Sequence, residues 1–229
     1  MIIITGASRG VGKYLFDRFI MEGQEVYGTY NNTPIQSNTD KGTYYQVNIV
    51  DALSVERWIQ LIHHNLNNIV LINCAGVSYN SFAHKADVEK WSEVLNVNVV
   101  GTFNVIRHLL PIMREQNFGR IVNFSSVVAS LPAPGVSAYA ASKSALIGLS
   151  KSLAVENASK GITVNNINLG YADIGMGVEQ VPVSYQKSMK ERIPSGVFCP
   201  PEDIFETVKY LIKTEYINGS SIDLNGGLI

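Results

Sequence analysis

The chain is 229 residues long, 46% apolar and 16% charged, with a net charge of −1. That length can bury a large core, and so nearly neutral a chain lacks the field that draws nucleic acid or an anionic membrane. Two cysteines, Cys74 and Cys199, are too few for a disulfide framework, no apolar run reaches the roughly 18 residues of a membrane-spanning helix, and the opening Met-Ile-Ile-Ile-Thr-Gly is too short and uncharged for a secretory signal.

A cytoplasmic protein without a metal site is therefore expected. No repeat, low-complexity tract or linker divides the chain, so residues 1–229 read as one domain. Residues 2 to 4 form a β-branched run, followed by Thr5-Gly6-Ala7-Ser8-Arg9-Gly10-Val11-Gly12 and then by Tyr14, Leu15, Phe16, Phe19 and Ile20 at helical spacing. This is a strand, a glycine-rich turn and a helix. Glycines let the backbone approach a bulky anion, and a helix N-terminus offers free N–H groups to a phosphate. A plain turn between strand and helix has the same look.

Further strands are expected at 25–30, 43–47 and 69–72, with a helix over 53–65 between the last two. The strand at 69–72 runs into Asn73-Cys74-Ala75-Gly76, small residues that leave room at a strand end; Cys74 reads as a packed small residue, since no histidine stands near it. A long helical pattern covers 88–115, with Asn98, a poor helix former, in its middle. A fifth strand at 120–124 delivers Ser125 and Ser126, and a loop with Pro132, Pro134 and Gly135 follows. A helix over 138–156, a strand at 162–167, a long segment at 170–196 of the kind that often covers a substrate, a helix over 202–213 and a strand at 221–224 complete the chain. Strands alternating with helices argue a parallel α/β sheet with right-handed crossovers. Ligands in such sheets bind at the C-terminal ends of the strands.

The stretch Ser126 to Lys143 carries the chemistry. Tyr139 and Lys143 are four residues apart, so a helix puts them on one face. An ammonium close to a phenol stabilises the phenolate and lowers its pKa from about 10, which would let Tyr139 exchange a proton with a substrate oxygen. Taken alone the pair is a coincidence that many chains carry.

With TGASRGVG at 5–12, NCAG at 73–76, LNVNVVGTF at 95–103, IVNFSS at 121–126, YAASK at 139–143 and IDLNGG at 222–227, the chain resembles the classical short-chain dehydrogenase/reductase family over essentially its whole length. The resemblance implies a Rossmann-type doubly wound parallel sheet of about seven strands, in the order 3-2-1-4-5-6-7, with helices on both faces. It implies that Tyr139 is the general acid in reduction and base in oxidation, that Ser126 holds the carbonyl, that Lys143 binds the nicotinamide ribose and lowers the tyrosine pKa, and that Asn98 anchors a proton-relaying water. Cofactor contacts are implied at Gly6, Ser8, Arg9, Gly10, Val11 and Gly12, at Asn31, Asn48 and Ile49, at Asn73, Ala75 and Gly76, and at Gly170 and Ala172, besides Tyr139 and Lys143.

NAD-preferring relatives place an acid at the end of the second strand, where it would repel a 2'-phosphate. Here that strand ends Gly28-Thr29-Tyr30-Asn31-Asn32 and Arg9 stands in the glycine turn, so NADPH is expected rather than NADH. Three positions depart from the family pattern. Asn48 replaces an aspartate that faces the adenine, its amide oxygen still able to accept a hydrogen bond, while Leu169 replaces a proline and Ile174 a threonine that contacts the carboxamide. The last two bear on the geometry of a substrate lid at 170–196 and on the hold on the cofactor.

The look is nearest to bacterial 3-oxoacyl-acyl-carrier-protein reductases, implying NADPH-dependent reduction of a β-keto thioester. Arg114, Arg120 and Lys160 then either offer positive surface to an acidic carrier protein or are ordinary solvated cations. Val178, Val181, Val183 and Tyr185 suit a partly apolar substrate or lid packing. Other ketones, sugars or polyols are the alternative substrates, and a dinucleotide-binding regulator without turnover is the alternative function. The family implies a homotetramer or homodimer.

Overall fold

The computed structural model describes residues 1–33, 38–131, 133–179 and 181–228. Pro132 of the proline loop and Gln180 of the expected lid lie outside the described residues. The chain runs β1 (Ile2–Thr5), α1 (Gly10–Met21), β2 (Val26–Tyr30), β3 (Gly42–Gln46), α2 (Ala52–Ile62), β4 (Val70–Asn73), α3 (Val88–Leu95), α4 (Thr102–Gln116), β5 (Gly119–Ser126), α5 (Ser137–Asn157), β6 (Ile162–Leu169), α6 (Met176–Glu179), α7 (Val183–Arg192), α8 (Pro201–Lys213) and β7 (Ser221–Leu224). Among the described residues the strands form one sheet in the order β3-β2-β1-β4-β5-β6-β7, every neighbouring pair parallel. That is the expected Rossmann-type order.

Alternation along the strands separates two cores. Ile3, Leu71, Ile121 and Val164 face α2, α4 and α5, where Trp58, Ile62, Leu109 and Met113 pack. Ile2, Ile4, Ile72 and Val122 face α1 and α8, where Phe16, Phe19, Phe205 and Val208 pack. A sheet covered on both faces needs apolar runs rather than alternating ones, and Ile2-Ile3-Ile4 is such a run.

Helix starts follow local chemistry. Asp51 accepts from Leu53 N at 3.0 Å, and Asp87 accepts from Glu89 N at 2.9 Å, each satisfying a free N–H at a helix start. The helical pattern expected over 88–115 is continuous but not uniform, because residues Asn96–Gly101, between α3 and α4, are π-helical. The wider turn falls on Asn98, and such insertions often mark functional positions.

β6 runs two residues beyond its expected end, to Leu169. Leu169 pairs with Leu224 and Ser126, and Gly170 N donates to Leu224 O at 2.9 Å. A proline at 169 would place a fixed ring without an N–H in this ladder, so leucine lets the strand continue.

Arg120 corrects an expectation. It is 4% exposed, its guanidinium donating to Ile212 O (3.1 Å), Gly161 O (2.9 Å) and Glu215 Oε1 (3.0 Å), so it clips α8, β5 and β6 together and offers no surface to a partner. Arg114 also has a structural task, reaching from α4 to Asn157 Oδ1 of α5 at 2.7 Å. Among the described residues no helix is long and apolar enough to cross a membrane, and no group of three or more His, Cys, Asp or Glu could hold a metal ion.

Candidate active site

A crevice of about 590 Å³ opens along the C-terminal ends of the strands. Its first wall is the turn after β1. Gly6 and Gly10 have φ of +67° and +54°, left-handed values that favour glycine, and a Cβ on Gly12 would lie 2.3 Å from Gly6 O, so the turn closes only without a side chain there. Ser8, Arg9 and Val11 line the crevice beside them. Arg9 caps α1 in extended conformation without a side-chain hydrogen bond, and the first turn of the helix holds no acid. The α1 N–H groups therefore face the crevice uncompensated, a cradle that fits a pyrophosphate.

From β2 the wall continues through Tyr30, Asn31, Asn32 and Thr33, and from β3 through Asn48 and Ile49. Asn48 Oδ1 already accepts from Val50 N at 3.1 Å, so the oxygen expected to face an adenine is partly engaged in its own turn. Ala75 and Gly76 form the floor, and Gly170, Ala172 and Ile174 the far side. Cys74 also lines the crevice, and burial pushes its thiol well above the ordinary range, the behaviour of a packed residue.

Asn73 is not on this wall. It is 4% exposed, and its Nδ2 donates to Asn123 Oδ1 at 2.8 Å inside the sheet. Asn98 also stands behind the wall, 1% exposed. Its Oδ1 accepts from Val77 N at 2.9 Å, while its Nδ2 donates to Val77 O and to Ser142 Oγ, both at 2.9 Å. The π-helical turn thus aims an amide that clamps the chain after β4 and reaches α5.

Ser126, Tyr139 and Lys143 meet in the crevice. Ser126 ends β5, which runs two residues past the expected strand, and α5 presents Tyr139 and Lys143 on one face. Lys143 Nζ donates to Phe124 O at 2.7 Å, and Ser125 Oγ donates to Lys143 O at 2.9 Å, pinning the helix to the strand. The electrostatics differ from the expectation of a cation-tuned phenol. Burial pushes Tyr139 up to about 12, with the Ser126 hydroxyl pulling it partly back. Lys143 lies 5.4 Å from the centroid of the Tyr139 ring and turns its protons toward Phe124 O. Burial depresses Lys143 to about 8, with the Cys74 thiol opposing. Desolvation sets the direction here, so Tyr139 holds its proton more firmly than a free phenol.

Beyond this trio the wall is apolar at Val128, Val136, Met176 and Val181, and polar at Ser78, Asn80 and Glu93. The segment expected as a lid holds α6 and α7 and has its own small core of Met189, Ile193 and Phe198. Its ends are joined, since Asp173 N donates to Cys199 O at 3.0 Å and Cys199 N to Tyr171 O at 2.8 Å. Sequence reasoning passed over Val77, Phe124 and Ser142. Ser142 had a signal, being the residue before Lys143; the other two act through main-chain atoms, which no side-chain pattern reveals.

Residues 1–182 match the protein family described as short chain dehydrogenase. The chain is similar to 3-oxoacyl-acyl-carrier-protein reductases of Thermotoga maritima and Staphylococcus aureus, at 33% identity over 238 residues, 99% of this chain and 96% of each relative. The corresponding reductase of Haemophilus influenzae is 31% identical over 235 residues with the same coverage. On the match, the strand order and the crevice, the chain belongs to the short-chain dehydrogenase/reductase family, oxidoreductases that interconvert a carbonyl and an alcohol with a nicotinamide dinucleotide.

Proposed function

We propose that this protein reduces a 3-oxoacyl thioester, carried on an acyl carrier protein, to the 3-hydroxyacyl thioester with NADPH. The observation that carries the reading is the meeting of Ser126, Tyr139 and Lys143 at one point of a crevice whose neighbouring wall is apolar at Val128, Val136, Met176 and Val181. The relatives of nearly equal length that bear this activity in their names support it.

When bound, the dinucleotide supplies a hydride to the carbonyl carbon. The α1 N-terminus and Gly6, Gly10 and Gly12 would hold its pyrophosphate. Tyr139, neutral at pH 7 as any phenol is and made a weaker acid by burial, gives its proton to the carbonyl oxygen as that oxygen takes on charge, and Ser126 donates a hydrogen bond to the same oxygen. A phenol near 12 is still a stronger acid than the alcohol being formed, so the transfer is downhill. Lys143 places a charge beside the ring, and Asn98 fixes the strand exit at Val77 that borders it.

NADPH is favoured over NADH because Asn31, Asn32 and Thr33, which line the crevice after β2, include no acid, and Arg9 lines it from the glycine turn; Glu93, the one acid lining the crevice among the described residues, sits on α3. The kcat/KM with NADPH is expected to exceed that with NADH about tenfold or more, and the reverse order would overturn the preference. Ser78, Asn80 and Glu93 favour a second reading, a hydroxylated ketone. The deciding experiment is a screen of NADPH oxidation over β-keto thioesters, simple ketones and keto sugars. Turnover confined to keto sugars would move the substrate class, and no turnover on any carbonyl would favour a dinucleotide-binding regulator.

A further inference from the structure

We propose that a buried polar rung across the sheet, acting through Ser150, positions α5 and thereby the proton-transfer pair that it carries, an inference that rests on the role given to Tyr139 and Lys143. The rung is Thr5, Asn73, Asn123, Asn166 and Ser221. The strand register puts each opposite the next, Thr5 by Asn73, Asn73 by Asn123, Asn123 by Asn166 and Asn166 by Ser221, so the five side chains leave one face of five adjacent strands.

Their hydrogen bonds run in one direction. Thr5 Oγ1 donates to Asn73 Oδ1 (3.4 Å), Asn73 Nδ2 to Asn123 Oδ1 (2.8 Å), and Asn166 Nδ2 to Ser221 Oγ (3.3 Å). Between β5 and β6 the link is not direct. Asn123 Nδ2 donates to Ser150 Oγ at 2.9 Å, and Ser150 Oγ donates to Asn166 Oδ1 at 2.9 Å. One hydroxyl of α5 thus bridges two strands, and Asn123, Ser150 and Asn166 are each 0% exposed.

Apolar side chains at these positions would serve the core at least as well, because a buried polar chain contributes little net stability. What it supplies instead is a single allowed arrangement, since shifting or rotating α5 strands a buried donor and a buried acceptor together. Ser150 lies seven residues beyond Lys143, two helical turns along the same face. A fault at Ser150 therefore reaches the level of Lys143 and Tyr139 as a tilt or slide of the helix. The other end of the rung touches the crevice floor, where Ala75 N donates to Thr5 Oγ1 at 3.2 Å. The floor and the catalytic helix are thereby registered to one another through the sheet. Ser150 and Asn123 are positioning residues, not catalytic ones.

Two variants of the full chain, each lacking one hydroxyl, test this. Ser150→Ala removes the bridge to α5, while Ser221→Ala removes a rung member that bonds to no residue of α5. With acetoacetyl-coenzyme A and NADPH, Ser150→Ala is expected to lower kcat about tenfold, as small misplacements of a reacting group do, with KM for the thioester and Kd for NADPH within twofold of wild type. Amide hydrogen exchange across residues 139–143 should quicken about tenfold in the same variant, and Ser221→Ala should change neither kcat nor this exchange by more than twofold. Wild-type kcat and exchange in Ser150→Ala would overturn the inference, as would equal losses in both variants, which would mark a general softening of the core. Should wild type reduce no ketone, the proposed function falls, while exchange in α5 still decides the positioning role.

Discussion

Lys143 should make the protein weaker at neutral pH than a protein without it. The side chain is 6% exposed, among the described residues bonds only to Phe124 O and has no carboxylate partner, and is depressed by burial from 10.5 to about 8. The sign follows from proton binding. Between the folded value near 8 and the unfolded value near 10.5 the unfolded chain holds the extra proton, so stability rises with pH across that window, and below it the penalty is complete. The shift corresponds to on the order of 3 kcal/mol at pH 7, shrinking to about 1 kcal/mol by about pH 9.5. Replacing Lys143 by methionine keeps the volume, removes the charge and leaves Phe124 O unpaired at about 1 kcal/mol. The Lys143→Met variant should thus be more stable than wild type by about 2 kcal/mol at pH 7, a rise of about 4 to 8 °C in Tm for a chain of this size. The gap should close by about pH 9.5. Thermal and urea unfolding of the cofactor-free proteins, followed by circular dichroism across this range, measures it. A variant no more stable than wild type at pH 7, or a gap constant with pH, would refute the reasoning.

Tyr139→Phe should lower kcat by about 10²- to 10⁴-fold while leaving the Kd for NADPH within twofold, since only the transferable proton is lost; steady-state kinetics and fluorescence titration check this. Arg120→Ala should cost about 3 kcal/mol in urea unfolding, because Gly161 O and Ile212 O lose buried donors, whereas Glu215→Gln should change little, its side chain being 82% exposed. Gly12→Ala should raise the Kd for NADPH at least about tenfold, about 1.4 kcal/mol, as its Cβ would lie 2.3 Å from Gly6 O and force the turn open. Ile174→Thr should tighten NADPH binding by a few-fold in titration while lowering stability by about 1 kcal/mol, because Ile174 lines the crevice and also packs against the α1 and α8 core.

Most of the strands, the glycine turn and the Tyr-Lys helix were legible because each is written in local pattern, whereas the strand order came from the family resemblance. Ile2-Ile3-Ile4 before a glycine cluster can hardly be anything but a buried strand entering a helix. The direction of the Tyr139 shift was not legible. Spacing reveals that Lys143 shares its face but not that the ammonium turns toward Phe124 O, nor that burial outweighs other influences on the phenol. Arg120 misled for a related reason, since an arginine at a strand start looks solvated until the carbonyls of two other elements close around it. Asn73 matched a family motif at the crevice edge, yet its side chain answers to Asn123 fifty residues away, a partner that only the register identifies. The two extra residues of β6 trace to a missing proline and could be understood only once β7 was seen beside them.

The neck between Tyr171 and Cys199 has a consequence for how such an enzyme changes over generations. Two main-chain bonds close it, Asp173 N to Cys199 O and Cys199 N to Tyr171 O, and the segment beyond carries its own apolar cluster around Met189, Ile193 and Phe198. Loop-closure entropy grows only slowly with length, so a cassette between fixed ends can be lengthened, shortened or exchanged at small thermodynamic expense to the sheet. Selection can rewrite what enters the crevice by editing residues 174 to 198 while the proton-transfer apparatus is inherited unchanged. A graft of that cassette from a relative of different substrate taste, joined at the neck, is the engineering counterpart of the same freedom.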